Sequence, residues 1–157
     1  MEISAPIAPP AGCSEKPLAA KLGYKAGQRA AFIALPPALA ALPALVPGKT
    51  AAIEWKDAAN LQTRRFDVVH AFTARQADLE RHLPAIQRAI RRDGAIWISW
   101  PKRASKVPTD VTEDKVRAAA LKLDLVDVKI AAVDAVWSGL KLVIRKERRT
   151  GGGMGNG

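Results

Sequence analysis

Residues 66–72, FDVVHAF, form a nearly unbroken apolar run, and residues 95–100, AIWISW, form a second. A strand with one wet face alternates apolar and polar positions, whereas a strand covered on both faces does not. Between the two runs Leu79, Leu83, Ile86 and Ile90 recur at helical spacing, with Arg81, Arg88, Arg91 and Arg92 largely on other faces. Pro84 is expected to divide or kink that helix. Strand, helix and strand with burial on both sides require a layered α/β fold whose central strands run parallel.

Ser14 reads as the cap of a short helix through Leu18 and Leu22, with Gly23 as its left-handed stop. A first strand is expected at about 29–35, then a short helix carrying Leu39 and Leu42 opened by Pro36-Pro37, then a second strand at 51–55. Thr112 followed by Glu113 and Asp114 starts a further helix, whose buried face is Val116, Ala119, Ala120 and Leu123. Strands at about 126–133 and 139–145 read as a hairpin joined by residues 134–138, which puts Trp137 in the loop. The expected fold class is therefore α/β and Rossmann-like: a mainly parallel sheet, a C-terminal antiparallel hairpin and helices on both faces. One domain spans 14–149, flanked by an Ala- and Pro-rich tail at 1–13 and a Gly-rich tail at 150–157, both read as flexible.

Composition narrows the chemistry. No stretch approaches the roughly 20 apolar residues of a membrane span. Cys13 is the single cysteine, so no intramolecular disulfide can form, and a cytoplasmic setting is the simplest reading. Met1-Glu2 supplies no positive start, and no apolar segment precedes Cys13, which reads against a secretion signal. His70 and His82 are the only histidines, and nothing places them at metal-ligand spacing with Cys13. Neither Ser99 nor Ser138 sits in a Gly-x-Ser-x-Gly elbow, and no Walker-type phosphate loop is present. The net charge of +10 attracts polyanions, or it serves solubility alone.

The order of elements resembles the S-adenosylmethionine-dependent methyltransferase fold. The carrying stretches are KAGQRAAFIAL, FDVVHAF, LPAIQRAIRRDGAIWISWPK and the closing VDVKIAAVDAVWSGLKLVIR. Residues 17–147 are also similar to a bacterial family of small proteins without an assigned activity, which carry WPK and WSGLK signatures like those here. The first resemblance implies S-adenosylmethionine as cofactor, held by a glycine-rich loop after the first strand and by an acid that binds the ribose hydroxyls. Glu54, 19 residues after Leu35, stands near that acid's place. The loop departs from the pattern: no glycine occurs from 28 to 47, and Pro36 and Pro37 lack the N–H groups such a loop offers. Only 11 residues separate Glu54 from Phe66, too few for the further helix and strand of the full enzymes.

Ligands of open α/β sheets sit beyond the carboxyl ends of the strands, where strand order reverses. The candidate positions are Leu35-Pro36, Glu54-Trp55, His70 to Thr73 and Ser99 to Lys102. His70 is either an acid/base facing a ligand or a hydrogen-bonded structural histidine. Lys102 and Lys106, on the loop before a helix start, suit a small anion, with Glu113 and Asp114 offsetting part of that charge. Trp97 and Trp100, three apart on a strand, point to opposite faces. Trp137 is either a stacking platform or a plug over the sheet end. The ligand-binding candidates are thus Glu54, His70, Ser99, Lys102, Lys106 and Trp137.

Three functions follow. The first is a non-catalytic binding or interaction domain, taking a small anionic ligand or a protein partner, on a degenerate methyltransferase-like fold. The second is an active S-adenosylmethionine-dependent methyltransferase with an atypical cofactor loop. The third is non-specific nucleic-acid binding through Arg64-Arg65, Arg91-Arg92 and KLVIRKERR, residues 141–149.

Overall fold

A computed structural model of the chain describes residues 17–149. The two tails, Cys13 and the Ser14 cap lie outside the described residues. Six strands form one sheet in the order β2-β1-β3-β4-β6-β5, with β1 Arg29–Ile33, β2 Lys49–Ile53, β3 Phe66–Phe72, β4 Ile90–Pro101, β5 Leu125–Ala132 and β6 Trp137–Ile144. The pairs β2-β1, β1-β3 and β3-β4 are parallel, while β6 runs antiparallel to both β4 and β5. Strand order reverses at β1, whose neighbours are β2 and β3.

The two apolar runs lie at the centre for the reason their composition suggested. Every residue of β3 except Asp67 is buried, and so is β4 from Gly94 to Pro101. Side chains alternate between two cores. Ile96, Ile98 and Trp100 face one that is completed by helices α2 (Gln76–Ala89) and α3 (Glu113–Leu121). Phe32, Val68, Phe72 and Trp97 face the other, which is closed by helix α1 (Leu18–Leu22) and by 3₁₀ turns at Pro37–Leu39 and Leu42–Leu45. Trp97 and Trp100 thus enter opposite cores, and Trp97 Nε1 donates to Leu22 O at 3.0 Å, fastening α1 to the sheet.

The structure corrects four local expectations, the first being Ile90, which opens β4 in register with Phe66 instead of ending the helical stripe. Helix α2 is not divided at Pro84, because Leu79, Leu83 and Ile86 all bury on one face and that burial outweighs one absent backbone bond. The Leu39 and Leu42 segment forms two 3₁₀ turns instead of a helix, since Pro36, Pro37, Pro43 and Pro47 leave no room for a run of backbone bonds. Trp137 opens β6 instead of lying in a loop: the turn sits at residues 133–136, where Asp134 Oδ1 accepts from Val136 N at 2.8 Å and Trp137 N at 2.7 Å. Between β2 and β3 there is only a 3₁₀ segment, Trp55–Asn60.

Candidate functional site

The carboxyl end of the sheet is built from four strand exits. β1 leaves through Ala34, which holds a left-handed conformation at φ 57°. Its N–H donates to Ile53 O at 2.9 Å, so this amide is spent within the sheet. Pro36 and Pro37 have no N–H, and the amides of Leu39 and Ala40 turn back onto the carbonyls of Pro36 and Pro37. The loop that would cradle an anionic or zwitterionic ligand with backbone donors has used most of them internally.

β2 exits through Glu54 and Trp55. Glu54 is exposed and pairs with Lys56 at 3.7 Å. Trp55 turns inward instead: its Nε1 donates to Phe72 O, at the end of β3, at 3.0 Å. Because β1 lies between β2 and β3, this bond carries the indole across the carboxyl end of β1. The ring also lies against His82 of α2, with centroids 5.3 Å apart. The crevice at the reversal of strand order is therefore spanned by the protein's own aromatic side chain. Trp55 was within a candidate dipeptide, but its role depends on three strands being neighbours.

β3 and β4 bring His70 and Ser99 together, with Nε2 2.7 Å from Oγ. Both residues are fully buried, on the α1 side of the sheet. His70 stacks on Phe72 at 4.2 Å and is flanked by Phe32 and Trp97. Burial among these rings pushes the imidazole down to about 3, so it is neutral at ordinary pH. Nδ1 has no partner. The pair has the separation of a nucleophile and its base, yet no third group orients the ring and neither atom reaches the surface. Gly139 on β6 makes this packing feasible: a Cβ there would stand 2.9 Å from Ser99 Oγ and 3.1 Å from Trp97 Cε3. Trp137 extends the aromatic group, edge-on to Phe72 at 5.5 Å, and is half-buried.

The cations after β4 sit elsewhere. Lys102 N donates to Val136 O at 2.7 Å, tying this loop to the hairpin turn. Lys106, exposed and left-handed at φ 63°, lines a groove of about 370 Å³ with Trp100, Arg103, Thr109, Thr112 and Glu113. Thr112 caps α3 by accepting from Lys115 N, as its sequence position implied. The N-terminus of α2 is filled by the protein itself, because Asp110 Oδ1 accepts from Gln76 N at 2.8 Å. The six candidate residues thus divide into an exposed acid, a sealed pair, an aromatic packed on Phe72, and two loop lysines. Among the described residues no group of three or more His, Cys, Asp or Glu could hold a metal ion, and no helix is long and apolar enough to cross a membrane.

These residues do not fit S-adenosylmethionine as the fold family would hold it. An acid stands at the end of β2, but the loop after β1 has turned the Ala34, Leu39 and Ala40 amides inward, two of its positions are proline, and Trp55 spans the crevice.

No protein-family model matches the chain, and no curated protein matches it by sequence. Its structure is similar to that of a SAM-dependent methyltransferase from Aquifex aeolicus, with TM-score 0.58 and 15% identity over 80% of this chain and 87% of that one. It is also similar to a ribosomal protein L11 methylase from Lactobacillus delbrueckii subsp. bulgaricus, with TM-score 0.57 and 16% identity over 82% of this chain and 77% of the other. A Thiobacillus denitrificans SAM-dependent methyltransferase in complex with S-adenosyl-L-homocysteine matches at TM-score 0.54 and 14% identity, covering 82% of this chain and 89% of that one. Identities this low carry the fold and not the activity. The chain has the α/β architecture of the S-adenosylmethionine-dependent methyltransferases.

Proposed function

We propose that the chain is a non-catalytic binding or interaction domain on the methyltransferase fold, one that does not use S-adenosylmethionine. The single observation that carries this reading is the Trp55 bond to Phe72 O across the end of β1. A bound nucleoside would have to displace the indole, break that bond and find backbone donors in a loop whose Ala34, Leu39 and Ala40 amides are already engaged. A small anionic ligand suits the groove at the head of α3 better, where Arg103, Lys106 and Thr112 converge and Glu113 offsets part of the charge.

The alternative is an active methyltransferase with an atypical loop, favoured by the exposed Glu54 carboxylate at the end of β2. Isothermal titration of the full chain with S-adenosylmethionine and S-adenosylhomocysteine separates the two. The binding-domain reading expects no heat of binding at ligand concentrations up to about 1 mM, a weaker limit than about −4 kcal/mol. Saturable binding that disappears in Glu54→Ala would establish the methyltransferase reading instead.

A further inference from the structure

The amino ends of the parallel strands, on the far side of the sheet from the crevice described above, carry two concavities. One, of about 370 Å³, is lined by Gly23, Lys25, Gln28, Asp93 and Lys141 among others. The second, more open and about 610 Å³, is lined by Arg29, Gln62, Thr63, Arg64, Arg65 and Arg91. Gly27 and Asp67 line both, so the two form one continuous trough. Six cationic side chains (Lys25, Arg29, Arg64, Arg65, Arg91 and Lys141) face two carboxylates, Asp67 and Asp93.

The cations are scattered over more than 110 positions of sequence and are gathered only by the sheet. Asp67, at the start of β3, is already engaged: its Oδ2 accepts from Arg29 N at 2.9 Å and its Oδ1 holds Arg91 at 3.6 Å. Asp67 thus spends one oxygen on a backbone amide and the other on Arg91, which Asp93 also approaches at 4.0 Å. The carboxylates therefore offset Arg91 and leave the other trough cations to face solvent. Arg64, left-handed at φ 55°, is fixed by Nη1 donating to Gln87 O and Ile90 O. Burial and the neighbouring Arg92 both make its charge costlier. Burial, then Lys129 and Lys25, do the same to the Lys141 amine. Arg92 Nη1 in turn donates to Arg148 O, at 3.4 Å, bringing the short C-terminal helix α4 (Lys146–Arg149) to the same end of the sheet. Repulsion among like charges that the fold leaves crowded is relieved by a bound anion.

We propose that this trough binds the phosphodiester backbone of a nucleic acid without regard to sequence. Two connected concavities with cations along both suit a polyanion better than one small ion. Arg29 and Arg65 present guanidinium forks, whose geometry matches phosphate, while Arg64 and Arg91 are held in place beside them and add charge. No aromatic side chain lines either concavity, so bases are not stacked and no base-edge reading is built in. The outer concavity has no large apolar side chain to insert into a membrane or to anchor a hydrophobic peptide. This site is independent of the carboxyl-end reading, and either can fail without the other.

Fluorescence anisotropy of the full chain with labelled mixed-sequence RNA and mixed-sequence duplex DNA tests the proposal. At about 25–50 mM salt both should bind, with log affinity falling against log salt at a slope of roughly −4 to −5, as six phosphate contacts require. The triple variant K25Q/R65Q/R91Q removes three exposed trough cations and should weaken binding at least tenfold with an unchanged thermal midpoint. The variant R75Q/R81Q/K115Q removes equal charge from exposed positions outside the trough and should stay within about twofold of wild type. Equal losses in the two triple variants would overturn the trough as the site, and absence of binding at about 25 mM salt would overturn the proposal altogether. So would tighter binding to phosphatidylserine vesicles than to either nucleic acid, or full displacement of RNA by about 1 mM inorganic phosphate.

Discussion

Trp55 donates its indole N–H to the carbonyl of Phe72 at 3.0 Å, joining the exits of two strands that do not touch each other in the sheet. The bond satisfies a strand-end carbonyl and at the same time occupies the crevice where this class of sheet accepts ligands. One side chain both satisfies a strand-end carbonyl and covers the carboxyl end of β1.

Trp55→Phe keeps the ring and deletes the donor. The expected loss is about 1 kcal/mol, the ordinary net value of one hydrogen bond, read as a lowered urea midpoint at constant m. An unchanged midpoint would mean that the Phe72 carbonyl finds water as readily as it finds the indole.

His70 links stability to pH. Its folded-state value of about 3 lies below the ordinary 6.5, so the unfolded chain binds the extra proton between those limits. Stability contributed by the neutral imidazole is complete above about pH 6.5 and falls as pH drops toward 3, by slightly over ~1 kcal/mol per pH unit. Phe32, Phe72, Trp97 and Ser99 surround the ring and none of them is charged. Urea titrations at pH 7 and pH 5 should show a larger drop for wild type than for His70→Gln. Equal drops would place the acid sensitivity in other groups.

Gly139→Ala should cost about 1–3 kcal/mol, because the new methyl meets Ser99 Oγ at 2.9 Å and Trp97 Cε3 at 3.1 Å. Ser99→Ala removes one of those contacts. In a double-mutant cycle the two changes should therefore couple favourably, by roughly 0.5 kcal/mol or more. Simple additivity would show that Trp97 alone sets the limit at this position.

Asp134→Ala should destabilise the hairpin by about 1–2 kcal/mol, since it leaves the Val136 and Trp137 amides without their acceptor. Asp134→Asn retains an oxygen in the same place and should recover most of the loss. Thermal melts of the three proteins compare them directly.

Much of the fold was legible in local pattern. Continuous apolar character at Phe66 to Phe72 and at Ala95 to Trp100 announced strands covered on both faces, and a stripe at Leu79, Leu83 and Ile86 announced the helix between them. Thr112 capped its helix where its hydroxyl and the following acids required. Pro84 and Trp137 misled because tertiary burial and a side-chain turn outweighed local preference.

The candidate site was legible only as a set of positions. Sequence order alone placed Glu54, His70, Ser99 and Lys102 at or near strand ends, and it determined that Trp97 and Trp100 point to opposite faces of β4. It also determined that the loop after β1 would be poor in donors, because proline has no N–H wherever it is placed. Only the tertiary structure decided that His70 meets Ser99 in a sealed aromatic core, that Trp55 crosses β1 to Phe72, and that Arg29, Arg64, Arg65 and Arg91 share one trough. Those outcomes depend on strand neighbours and register, which join residues tens of positions apart. Periodicity reads each segment's environment one turn or one pleat at a time, and it carries no information about which segment lies alongside.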